Sequence, residues 1–295
     1  MSPPPDADSP SPAGTGLPPI TIRRLEWEPD EQLSARTWAY TALFGGRPLA
    51  VQAVVFRADR SLLYLTPDIK STSVPPGIAA PDIVRLLAQR VQDDLSSLDI
   101  LFQQAVIESG DDLAALALTA AGFQPVTEVC ELSLEIGPES PSFESFDRSN
   151  GIELVAPPLD SPLWGEAFAA SLEGGLDIPE LLQKRGPAES FESLRLLAAD
   201  DTEHWRVALH RGSTAGLVLP TPLPDGTAEI QYLGVVPAAR RQGLGQRLIA
   251  DAMEAATAIG ARVLTVHVDA RNVPALRLYE SRGFRVVSRQ ALWLR

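Results

Sequence analysis

The strongest period in the chain lies in VPAARRQGLGQRLIADAMEAATAIGA, where Leu244, Leu248, Ala252, Ala255 and Ile259 form one helical stripe that begins just after a glycine-containing loop. On both sides of it the period changes to two. Upstream, WRVALHRG, AGLVLP and TAEIQYLGVV alternate apolar and polar residues and predict three strands, with TPLPDG as a turn. Further upstream IELVA reads as a short strand, and LWGEAFAASLE, PELLQKR and SFESLRLLAAD as helices. Downstream, RVLTVHV is the next strand; Asn272 is placed to cap another helix, Pro274 suits its first turn and Gly283 the left-handed position that ends it. FRVVS and ALWLR read as two closing strands.

The first half repeats this layout at one offset. Pro76 falls on Pro237, Leu87 on Leu248, Ala114 on Ala275, Gly122 on Gly283, Phe123 on Phe284 and Val126 on Val287, each pair 161 positions apart. The stripe Ile83, Leu87, Val91, Leu95, Leu98 and the strand ILFQQAVIE match in kind. Because the helix ends coincide at the Gly-Phe pair, an internal duplication explains the pattern better than two generic strand-helix-strand units. The expected organisation is a tail at 1–19, a degenerate lobe at 20–137, a linker at 138–150 and a second lobe at 151–295. Each lobe is expected to be α/β, a mostly antiparallel mixed sheet flanked by helices.

Composition narrows the function classes. With 45% apolar and 21% charged residues the chain is globular in character; only MSPPPDADSPSPAGTGLPP, rich in Pro, Ser and Gly, reads as disordered. It lacks a signal-peptide pattern, and nowhere are there enough consecutive apolar residues to span a bilayer, so a cytoplasmic location and no membrane partner are expected. Cys130 is the only cysteine, which excludes an internal disulfide and a cysteine-based metal cluster, and no metal is expected. The net charge of −13 argues against nucleic acid. Residues 1–150 carry 10 basic against 21 acidic side chains, whereas from Arg240 onward 10 Arg face 4 acids. A basic segment in an acidic protein fits a small bound polyanion. The sequence leaves monomer and homodimer both open.

Candidate chemistry centres on Val236-Pro237-Ala238-Ala239-Arg240-Arg241-Gln242-Gly243-Leu244-Gly245, which follows a strand and opens a helix. There, loop and first-turn N–H groups are exposed, Gly243 and Gly245 let a ligand approach the backbone, and the positive helix end favours negative charge. This is a pyrophosphate cradle. A Rossmann fingerprint would need glycine at Leu248, and a Walker loop would need Lys-Ser/Thr where Gln246-Arg247 stand, so both fail.

These residues resemble the GNAT superfamily of acyl-CoA N-acyltransferases, whose signature Arg/Gln-x-x-Gly-x-Gly/Ala is met by Arg240, Gly243 and Gly245. Asn272, Ala275, Leu278, Tyr279, Gly283 and Phe284 are similar to the family's Asn-x-x-Ala-x-x-x-Tyr-x-x-x-Gly-Phe pattern. The specific resemblance covers about the last 68 residues. It implies direct transfer of an acetyl group from acetyl-CoA to an amine, with a small-molecule amine as the favoured acceptor. A protein N-terminus or lysine is the alternative substrate, and a non-catalytic acyl-CoA sensor the alternative class. It further implies that pantetheine lies between the diverging YLGVV and LTVHV strands. Backbone N–H groups of Leu233, Gly234, Val235 and Val236 would then hold the thioester carbonyl. Arg240, Arg241, Gln242, Gly243, Leu244, Gly245 and Gln246 would hold the pyrophosphate, with Asn272 as a further cofactor contact. By the same resemblance Tyr279 would protonate the departing thiolate. For the general base, Glu229 is the first candidate and His267 the second. In the first lobe Ala79, Asp82, Val84, Asp111 and Leu118 replace Arg240, Gly243, Gly245, Asn272 and Tyr279, so that lobe is expected not to bind CoA. Two-lobe members of the family with an active C-terminal lobe give the architectural parallel.

Overall fold

The computed structural model describes residues 20–27, 36–69, 74–137, 151–199 and 201–295. The expected tail and the expected linker at 138–150 lie outside the described residues. The chain packs into two compact units, one reaching to Val126 and taking up Gln290–Arg295, the other comprising Thr127–Arg289.

The second unit is built on strands β7 (Gln124–Glu135), β8 (Ile152–Val155), β9 (Arg206–His210), β10 (Ser213–Pro222), β11 (Ala228–Val235) and β12 (Val263–Asp269), in the spatial order β7-β12-β11-β10-β9-β8. All neighbours are antiparallel except β11 and β12. Alternation sends neighbouring residues to opposite faces. Val218, Ile230, Leu264, Val266 and Val268 pack with Leu244, Leu248 and Met253 of helix α6 (Leu244–Ile259) and with Tyr279 of α7 (Val273–Glu280). Leu217, Leu219 and Tyr232 pack on the other face with Trp164 and Phe168 of α3 (Pro162–Leu172) and Phe191 of α5 (Pro187–Ala198). Between α3 and α5 runs the short helix α4 (Pro179–Lys184). Cys130 is fully buried among the α6-side residues, as its apolar habit suggests.

The first unit carries β1 (Ile20–Trp27), β2 (Thr37–Phe44), β3 (Arg47–Phe56), β4 (Ser61–Tyr64), β5 (Asp68–Ile69) and β6 (Phe102–Glu108), with helices α1 (Ala80–Leu95) and α2 (Asp112–Ala120). Its one parallel pair among the described residues is β4 with β6, the counterpart of β11 with β12. The last strand, β13 (Arg285–Leu294), is continuous where two short strands were expected, and its end pairs antiparallel with β6.

The 161-residue repeat is visible from α1 to β7. β6 falls on β12, and the first residue of α2 falls on that of α7. Asp111 accepts a hydrogen bond from the Ala114 N–H at 2.9 Å, and Asn272 from the Ala275 N–H at 3.3 Å, so both helices are capped alike. Buried Ile83, Leu87, Ala88, Val91 and Leu95 fall on buried Leu244, Leu248, Ile249, Ala252 and Ala256. Leu98, assigned above to the same stripe, lies past the end of α1 and is 36% exposed. The units differ where the helix starts. At this offset Ala80 corresponds to Arg241, yet α6 begins only at Leu244. The first unit is already helical at the positions where the second forms its loop.

Candidate active site

β11 and β12 are paired only at Ala228–Leu264 and Glu229–Thr265; beyond those residues they part. A register shift between β10 and β11 at Leu219/Pro220 leaves Gln231 as the extra residue of a bulge, the device that re-aims a strand. Val236 donates its N–H to Ala215 at 2.9 Å. Antiparallel alternation therefore aims the N–H groups of Leu233 and Val235 into the gap, and that of Gly234 toward β10. Of the four backbone donors expected in the gap, Gly234 and Val236 are thus corrected: their donors face β10 within the sheet.

The loop after β11 begins with a 3-10 turn at Pro237–Ala239, passes through Arg241 at φ +62° and Gly243 at φ +84°, and enters α6 at Leu244. First-turn N–H groups of a helix have no intrahelical partners, and the helix dipole adds positive potential there. A side chain built on Gly243 would meet nothing within 4 Å, so this backbone faces open space. Gly245 has a different reason to be bare: a Cβ there would come within 2.8 Å of Leu278 Cδ2. Its use is the contact between α6 and α7, a correction to the reading that it admits a ligand. Gln242 turns its amide back onto the Ala238 carbonyl at 2.8 Å.

Arg240 also takes a role other than the expected one. Its guanidinium donates to the carbonyls of Val235 at 2.9 Å, Ser171 at 3.1 Å, Glu173 at 2.5 Å and Gly174 at 3.4 Å. It ties the end of β11 to the C-terminal turn of α3, whose last carbonyls lack helical partners. Arg240→Ala is expected to lower the free energy of unfolding by about 2 kcal/mol in urea titrations, the usual worth of hydrogen bonds to a charged donor. Lysine should restore less than half of it, because one ammonium cannot match the guanidinium fork.

Beyond the gap Tyr279 is buried, 4% exposed, with its ring edge-on to Phe284 at 5.3 Å. Burial, reinforced by the negative charge of Asp177 and by Tyr232, raises its phenol far above the free value, so it keeps its proton at any physiological pH. Tyr232 sits on Phe168 at 4.6 Å and meets the Ser171 hydroxyl at 2.8 Å; burial pushes its phenol up to about 12.

Glu229 and His267, the two candidate bases, form one unit. His267 Nδ1 lies 2.7 Å from Glu229 Oε1. They share a sheet face with Glu131, which stands opposite His267 across the β7–β12 ladder and accepts from the Ser288 hydroxyl at 2.9 Å. The hydrogen bond to Glu229 raises the His267 imidazole; burial opposes this, and the charges of Glu229 and Glu131 add to the rise.

The model of the acetyltransferase (GNAT) family matches residues 176–284, which contain the splayed strands, the loop and Tyr279. The second unit carries a GNAT domain. Mycothiol acetyltransferase of Clavibacter michiganensis subsp. michiganensis is 29% identical over 188 residues, 60% of this chain and 56% of that protein. The mycothiol acetyltransferase of Thermomonospora curvata is 31% identical over 137 residues, 45% of this chain and 43% of that one. The chain thus spans about half the length of these curated relatives. A GCN5-related N-acetyltransferase from Sphaerobacter thermophilus superposes with a TM-score of 0.61 at 19% identity, covering 87% of this chain and 80% of its own. A tandem GNAT protein from the clavulanic acid biosynthesis pathway superposes at 0.52 with 16% identity, covering 89% and 83%. At such identities these two show the fold alone.

The sequence did not single out a set of residues at the end of β12 in this GNAT domain. Asp269, wholly buried, accepts from the Thr127 hydroxyl at 2.8 Å, from the Ile178 N–H at 3.1 Å and from the Arg271 N–H at 2.8 Å. Burial pushes its carboxyl up, but these donors and the Arg271 guanidinium outweigh it and hold it below the ordinary value. Arg271 also forks onto Glu180 at 2.7 and 2.8 Å. The signal available was period two: Asp269 follows His267 on the same face of VLTVHVD.

Proposed function

We propose that the second unit is an acetyl-CoA-dependent N-acetyltransferase acting on a small amine or amine-bearing metabolite. The observation that carries this reading is the parting of β11 and β12 directly before an open cradle at the start of α6. The residues fit a CoA thioester. Backbone N–H groups from Arg241 to Gln246 match a pyrophosphate, and the unfilled space over Gly243 is what an oxygen of that group requires. Acetyl-CoA supplies the activated acetyl group, and this chain supplies donors and a proton path.

The N–H groups of Leu233 and Val235 point to where the thioester carbonyl gains negative charge as the amine attacks. The amine nitrogen forms the new bond to the acetyl carbon and gives its proton to the His267–Glu229 pair. As the carbon–sulfur bond breaks, the thiolate takes the proton of Tyr279. Asn272 caps α7 and so fixes the helix that carries Tyr279. Calorimetric titration with acetyl-CoA followed by amine-dependent release of free CoA tests the reading; absence of binding would sink it.

The paired bases set the pH response. His267 must be neutral to accept a proton, and Glu229 raises it above the ordinary 6.5. The acid limb of kcat/KM should therefore lie above pH 6.5 and move down by about one unit in Glu229→Gln, where the carboxylate charge is gone. The same rise means that the pair stabilises the fold below the unfolded imidazole value and loses that contribution as pH passes the raised folded one.

A further inference from the structure

The segment from Ser171 to Glu180 is tied down at both ends, and the two anchors lie past the ends of the two strands that part. Ser171, Glu173 and Gly174 give their carbonyls to Arg240, five residues beyond the end of β11. Ile178 gives its N–H to the Asp269 carboxylate and Glu180 pairs with Arg271, at and just past the end of β12. The segment therefore straps across the mouth of the gap. Ile178 is held at φ +40°, a left-handed conformation that a β-branched residue adopts only when its surroundings impose it. The imposing contact is reciprocal: Asp269 donates its own N–H to Asp177 Oδ1 at 2.9 Å.

The latch aims Asp177. One oxygen is occupied by Asp269, Asn272 reaches the same carboxylate from α7, and the side chain remains accessible to water although protein surrounds it on most sides. Burial raises its carboxyl above the ordinary value, against the hydrogen bonds from Asp269 and Asn272 and the Arg271 charge, and its negative charge in turn raises the Tyr279 and Tyr232 phenols. His267 stands two residues before Asp269 on the same face of β12. The sheet face thus presents a base pair; toward the strap lies the Asp177 carboxylate, which among the described residues makes no lysine or arginine ion pair, although the Arg271 charge acts on it.

Resting on the acetyltransferase reading, we propose that Asp177 is a specificity-determining residue that holds a second, permanently protonated group of the acceptor, so that the acceptor class is a diamine or other amine with an additional cation. The amine that reacts must give up its proton to His267–Glu229, and the charge left for Asp177 belongs to the other end of the acceptor. An ammonium on a carboxylate that already receives backbone donors forms a charge-assisted hydrogen bond, stronger than a neutral one.

Three probes of equal chain length separate the possibilities: 1,3-diaminopropane, 3-aminopropanol and β-alanine, which end in an ammonium, a hydroxyl and a carboxylate. With CoA release as the readout, kcat/KM for the diamine should exceed that for the amino alcohol by about tenfold or more, mostly through KM, with β-alanine poorest. In Asp177→Asn, whose amide oxygen still accepts the Asp269 N–H, the diamine-to-alcohol ratio should collapse toward one. Calorimetric acetyl-CoA binding by the same variant checks that the fold is intact. An unchanged ratio in the variant overturns the proposal. So does the absence of diamine preference, or of any turnover, in a wild-type protein that binds acetyl-CoA. If the wild type binds no acetyl-CoA, it is the acetyltransferase reading itself that has failed.

Discussion

Replacing Tyr279 by phenylalanine should lower kcat by about 10²- to 10⁴-fold, the usual worth of a positioned acid, while the affinity for acetyl-CoA stays within a few-fold of wild type. The separation follows from where Tyr279 lies. It is seated in the α6–α7 core against Phe284, so the ring of phenylalanine fills the same space and the fold loses no packing. Only the hydroxyl is removed, and no hydrogen bond among the described residues depends on it. The cradle N–H groups at the start of α6 are untouched. Single-turnover measurement of acetyl transfer beside calorimetric binding reads both quantities. Loss of binding together with turnover would mean that the hydroxyl holds the thioester rather than protonating its sulfur. A variant with unchanged turnover would remove Tyr279 from the mechanism. Because burial and the nearby Asp177 charge raise the phenol, no basic limb from Tyr279 should appear in the pH profile below about pH 10.

What could be read from the sequence divides along a physical line. Local regularities were legible: the α6 stripe, the caps Asn272 and Asp111, and the offset that superposes β6 on β12 all depend on residues near one another in the chain. The contacts that define the mouth of the gap were not, because they join residues far apart. Arg240 meets the carbonyls of Ser171 and Glu173, and a motif search sees an arginine in a phosphate loop without seeing that its guanidinium is already committed. Gly245 is bare for Leu278, which only packing reveals. Glu229 and His267 ranked as rival bases, although a parallel pairing of Glu229 with Thr265 leaves His267 within a hydrogen bond. Asp177 had no local signature at all; its orientation comes from a buried Asp269 at the other end of the domain's sequence.

Substituting aspartate for Gly243 should abolish measurable acetyl-CoA binding while leaving the protein folded. Gly243 sits at φ +84°, a conformation that asparagine and aspartate tolerate better than other side-chain-bearing residues. Open space around its Cβ position means that the new side chain clashes with nothing in the protein. What changes is charge. A carboxylate about 4 Å from a phosphate oxygen costs roughly 4 kcal/mol at the effective dielectric of a protein surface, close to a thousandfold in affinity. Gly243→Asn, nearly the same size without the charge, should lose far less, so the pair of variants separates repulsion from bulk. In the first unit Asp82 stands at the position of Gly243, within the first turn of α1 and paired with Arg85 at 3.1 Å, and the chain there is helix rather than loop. Calorimetry on the wild-type chain should accordingly find one acetyl-CoA per chain, and none in Gly243→Asp. Two sites in the wild type, or one surviving in the variant, would show that the first unit binds CoA through a surface other than its counterpart of the cradle.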